Sequence, residues 1–165
     1  MEYKQELKEL FFQLGLKLLK NRNNESGFEV RIQFEKLLLS KFGDVIGGLL
    51  SEAVCFSPAG GLNHDNLYTH LFNLSEKIEN YFSQENNVID ARKLLELRWA
   101  CMTSALLNKK DDLVKFSIIG LKYHDKTDNS SWHNTTAEWN FMINNPTEFI
   151  NAMSALKEYL NENRN

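Results

Sequence analysis

The chain has 165 residues, 42% of them apolar and 25% charged, with a formal net charge of −3. A pI near 5.8 and a mean hydropathy of −0.42 fit one globular domain with a substantial core of its own. They leave no concentrated positive field of the kind that non-specific nucleic-acid binding needs, so direct nucleic-acid contact is not expected. No run of about eighteen uncharged apolar residues is present, so no membrane span is expected. The charged opening Glu2–Glu6 predicts no secretory signal. Cys55 and Cys101 each sit in an apolar run, the pattern of reduced, buried thiols in a cytoplasmic protein.

In chain order, Leu7, Leu10, Phe11, Leu14 and Leu18 recur at helical spacing and predict an amphipathic helix over about 2–21. An Asn-rich turn follows, and Ser26 with Glu29 reads as a capping box. Residues 28–35 then allow two readings. Phe28, Val30, Ile32 and Phe34 alternate with polar residues as in a strand, whereas Phe28, Ile32, Leu38, Leu39 and Phe42 suit a helix. A lone strand would leave its backbone groups without partners, which favours the helix.

Asp44 to Phe56 reads as a third helix, with Gly47–Gly48 as a place for close approach or a bend. The stretch Ser57–Gly61 is the clearest loop. Beyond a cap at Asn63, Leu67, Leu71, Leu74, Ile78 and Phe82 share one face of a fourth helix. A fifth, Ile89 to Leu107, is apolar nearly all round, which marks a helix packed on several sides. Asp111 or Asp112 is expected to cap a sixth, carrying Leu113, Val114, Phe116, Ile118, Ile119 and Leu121. Its basic residues, Lys109, Lys110 and onward, read as a solvated face.

The polar stretch 125–135 is expected to be irregular, and a short helix follows over about 138–143. Asn145, Pro146 and Glu148 then open the last helix with cap, N1 and N3 residues in agreement. The expectation is an all-α, single-domain chain spanning 1–165, with about seven to eight helices around the apolar helix 89–107. Nineteen residues are asparagine, and those at helix ends, among them Asn87, Asn108 and Asn145, can serve as caps.

A search for chemistry finds little at ligand or catalytic spacing. His64 and His70 are six positions apart and point in different directions on a helix, so they do not form an i,i+4 metal pair; no metal or cofactor is expected. Apolar neighbours should raise the Cys101 pKa, the wrong direction for a nucleophile. His124 and His133 flank a polar stretch and could serve as an acid–base pair, which leaves a His-dependent enzyme as an open alternative. The most unusual segment is 123–141. It mixes aromatic with acidic side chains, as an interface patch does, and its candidate partner-binding residues are Tyr123, Asp125, Asp128, Trp132, His133, Glu138 and Trp139. Tryptophans folded back as lids on the core are the competing reading.

Small, mildly acidic, helical and Asn-rich, the chain resembles in overall character the immunity proteins of bacterial polymorphic and contact-dependent growth-inhibition toxin systems. That resemblance implies a non-enzymatic cytoplasmic protein whose partner is a toxin domain, typically a nuclease, neutralised by occlusion of its active site. The alternative within the binding class is a small helical regulator or adaptor of phage or plasmid origin.

Overall fold

The computed structural model describes residues 3–14, 25–56, 67–83, 91–124 and 136–162. Among them are seven helices and no strand: α1 Tyr3–Leu14, α2 Glu25–Phe56, α3 Leu67–Phe82, α4 Ala91–Leu106, α5 Lys110–His124, α6 Thr136–Asn144 and α7 Pro146–Glu162. None of them is long and apolar enough to cross a membrane. Their buried apolar side chains form one cluster, and the chain is a single compact helical domain.

Residues 28–35 are helical. The second and third expected helices are the two halves of α2, hinged at Gly43 (φ 86°, ψ 172°). Only glycine adopts that left-handed backbone without a Cβ penalty. Just past the hinge, Gly47 lies so close to the first half that a Cβ there would stand 2.5 Å from the Leu38 carbonyl oxygen. Gly47 therefore allows the two halves to touch, whereas a Cβ at Gly48 would meet nothing. The Ser26–Glu29 capping box falls on side chains outside those described, with the helix already under way at Glu25.

The helix expected over 89–107 is α4, and it is central, packing against α3, α5 and α7. Leu94, Leu97, Ala100, Cys101, Met102, Ala105 and Leu106 are buried on it, while Leu95 and Trp99 are half-buried. The helix ends in a Schellman turn. Asn108 (φ 57°) donates its N–H to the Ala105 carbonyl at 3.1 Å, and Lys109 donates to Ser104 at 2.8 Å, which satisfies carbonyls that the helix end would otherwise orphan. The next helix starts at once, because the Leu113 N–H donates to the Lys109 carbonyl. Asp111 and Asp112 thus lie within the first turn of α5, not at its cap, where their charge still suits the helix dipole.

The fourth expected helix is α3, with Leu67, Leu71, Leu74 and Ile78 buried; Asn63 and Asn87 lie outside the described residues. The inward face of α5 differs from the expected set. Leu113, Phe116, Ser117 and Gly120 are buried, and Ile118 is exposed. Helical period places these four on one side, and packing against α4 and α6 turns that side inward. The last helix starts at Pro146 as its cap sequence predicts. It packs on α1, where the Tyr3 hydroxyl donates to Glu148 at 2.7 Å and Lys4 pairs with Glu158 at 2.6 Å. Burial and the Glu148 carboxylate push the Tyr3 phenol well above its ordinary pKa.

Candidate functional site

Arg98 sits on α4 with only 2% of its surface exposed. Nε donates to both carboxylate oxygens of Glu52 on α2, at 3.1 and 2.9 Å, and Nη2 reaches Glu52 Oε2 at 2.7 Å. Nη2 also donates to Glu138 Oε2 on α6 at 2.7 Å. One guanidinium therefore ties three helices together, using the planar fork that lysine lacks. Burial alone would lower the Arg98 pKa, but the two carboxylates outweigh it and the pKa is raised. Nη1 is buried without a hydrogen-bond partner among the described residues.

The N-terminal turn of α6 adds its own positive end to the Glu138 carboxylate. Next to it, Trp139 is fully buried, with its ring 5.5 Å from Arg98 Cζ, within cation–π range. The ring lies against Gly120 of α5, where a Cβ would collide with it. Trp139 Nε1 donates to His124 Nδ1 at 3.3 Å. His124 closes α5 and Thr136 opens α6, so this bond links the two sides of the 125–135 connection.

Of the candidate partner-binding residues, Glu138 and Trp139 are thus core residues, not surface ones. The Arg98 charge and the Gly120 gap draw them inward, so they hold the segment and offer a partner no surface. For Trp139 the lid reading is correct. Tyr123 is half-buried against Phe82, ring centroids 4.7 Å apart. Asp125, Asp128, Trp132 and His133 lie outside the described residues. His124 uses Nδ1 as an acceptor, and the acid–base pairing with His133 falls outside the described residues.

Sequence reading passed over Arg98 and Glu52. The available signal was a charged residue in a helix without a polar face, because a charge buried there must be paired. Its partners lie 46 and 40 positions away, beyond any local pattern. Glu96, likewise buried on α4, faces Lys77 at 3.6 Å and Arg92 at 3.5 Å.

Among the described residues, Cys101 and His70 have pKa values shifted by burial. Cys101 is fully buried with Sγ 3.4 Å from Ser117 Oγ, and burial pushes its thiol up to about 12. Burial, helped by Lys77, lowers the pKa of His70, which packs against Trp99. A cleft between α1 and α2, lined by Glu6, Glu9, Leu10, Leu37, Ser40 and Lys41, encloses about 200 Å³, below the range of pockets that hold drug-sized ligands. Among the described residues no three His, Cys, Asp or Glu side chains gather as a metal site would require. Comparison with protein families, with characterised proteins and with solved structures finds no match to this chain.

Proposed function

We propose that the chain works by binding and neutralising a protein partner, as a cytoplasmic immunity protein neutralises a toxin domain, and that the 123–141 segment supplies part of the surface. The observation that carries this reading is the clamp at the base of that segment. Arg98–Glu138 and His124–Trp139 fix both flanks of the 125–135 connection to the core. A binding segment with fixed ends loses less conformational freedom on association.

Between those flanks the sequence supplies Trp132 as an anchor and Asp125 and Asp128 as steering charges. That combination suits a basic toxin domain such as a nuclease. Glu138 and Trp139 act from inside, as positioning residues. The test is capture of the partner with the intact chain, followed by calorimetric titration of variants. Trp132→Ala should weaken binding by roughly 2 kcal/mol or more, and Asp125→Ala with Asp128→Ala should mainly slow association and flatten its salt dependence. Unchanged affinity and on-rate in all three would remove the segment from the interface.

A further inference from the structure

His124 is the last residue of α5, and its Nδ1 accepts the indole N–H of Trp139 at 3.3 Å. An imidazole that accepts at Nδ1 is neutral and carries its proton on Nε2. The indole can only donate, so the bond exists in one protonation state of the pair. A proton added to His124 goes onto Nδ1 and sets two N–H groups against each other. Trp139 is fully buried, with its ring against Gly120 of α5. A buried N–H that loses its acceptor bears the full cost of its desolvation, so the ring and the last turn of α5 must part for it to find another. His124 is half-buried, within reach of solvent protons. The carbonyl end of α5 also suits a cation there once the bond is gone.

Charged groups on the surrounding helices have partners of their own. On α4, Arg98 lies over the Trp139 ring and holds Glu52 and Glu138 of α6, while Arg92 pairs with Glu96 and Lys93 lies over Tyr81. On α7, Glu148, Lys157 and Glu158 turn to Tyr3, the Leu106 carbonyl and Lys4. On α3, Lys77 pairs with Glu96 and Glu79 with Lys115. On α5 itself, Lys122 lies over the Tyr123 ring, and Asp125 follows His124 in the sequence. The imidazole is the group whose protonation acts on the bond itself. We infer that His124 is a proton-operated latch. Neutral, it fastens the end of α5 to α6 across the 125–135 connection; protonated, it lets them part. Histidine ordinarily changes charge between about pH 5 and 8, so the latch is closed at the upper end of that range and opens as pH falls. Arg98 and Glu138 hold α6 to α4 in both states. The latch stands apart from the neutralising role, since it concerns how the connection is fastened and not what it binds.

The experiment is an NMR titration of the intact chain from about pH 8 to about pH 5, following the assigned His124 ring and Trp139 indole resonances, with far-UV circular dichroism alongside. The indole resonance should shift with the same midpoint as the His124 ring while the helical spectrum stays intact. His124→Asn places an amide oxygen where Nδ1 stands, an acceptor that does not titrate, and should make the indole resonance independent of pH. At the acid end, the indole proton should exchange with solvent about tenfold faster in the unaltered chain than in His124→Asn at the same pH. An indole resonance that stays fixed while His124 titrates overturns the latch. So does a pH-dependent indole shift that persists in His124→Asn, which keeps Glu138 and Asp125, or a His124 ring that does not titrate in this range. Loss of the helical spectrum together with the indole shift overturns it as well, since the whole chain then unfolds. Should His124→Asn fail to fold, agreement or disagreement of the two midpoints in the unaltered chain decides.

Discussion

Arg98 shows how much one buried residue can decide. Its guanidinium satisfies Glu52 and Glu138 at 2.7–3.1 Å, and the two carboxylates offset the cost of burying it. Removal of the cation leaves two carboxylates facing each other in the core, so Arg98→Met should cost about 3–5 kcal/mol in urea unfolding. Replacing all three residues by apolar ones of similar volume should cost much less, because no uncompensated charge remains. A loss at Arg98→Met below about 1 kcal/mol, in the range of exposed pairs, would contradict the buried geometry. Cys101 supplies a pH test. Its thiol is raised from an ordinary 9.0 to about 12 by burial, so the folded state keeps a proton that the unfolded chain gives up. The associated stability is fully present below pH 9 and is lost as pH rises from there towards 12. The advantage of the wild type over Cys101→Ala should therefore shrink by about 1 kcal/mol between about pH 8 and pH 10, as measured by denaturant titration at each pH.

At the scale of the helix, α2 depends on which glycine stands where. Gly47 touches the Leu38 carbonyl across the hinge, whereas a Cβ at Gly48 meets nothing. Gly47→Ala should destabilise by about 1–3 kcal/mol through overpacking against rigid backbone. Gly48→Ala should stabilise by about 0.5–1 kcal/mol, since alanine loses less entropy in a helix. Thermal unfolding of the two variants reads the opposite signs directly, and equal shifts would mean that the halves of α2 do not meet. The same reasoning separates α4 from an ordinary core helix. It buries Glu96, Arg98, Thr103 and Ser104 beside its apolar residues. Thr103 and Ser104 return their hydroxyls to the Trp99 and Ala100 carbonyls, each at 2.7 Å, and so bring no unsatisfied polar atom inside.

Across the whole molecule, contacts between α1 and α7 join residues far apart in the chain, and α4 touches three neighbours. Interlocked contacts of this kind make a small domain unfold as one unit. The far-UV spectrum should show helix well above the roughly one-third share of ordinary globular proteins. Its loss in urea should coincide with the loss of tryptophan fluorescence from buried Trp139. Separate transitions would show that α5–α6, with the Trp139 clamp, opens independently of the rest.

The helical class, the central position of α4, the apolar face of α3 and the start of α7 at Pro146 were legible in the sequence. Each rests on local period or cap chemistry, which operates within a few residues and needs no knowledge of what packs against what. The Schellman turn at Asn108 belongs to the same group. Tertiary structure alone decided that Glu138 and Trp139 face inward, that Ile118 faces out while Ser117 and Gly120 face in, and that Gly47 is a contact point. It also decided that Arg98, Glu52 and Glu138 share one site. The physical reason is range. Desolvation of a charge and close packing of a ring depend on partners about forty or more positions away, and only the folded chain brings those partners together.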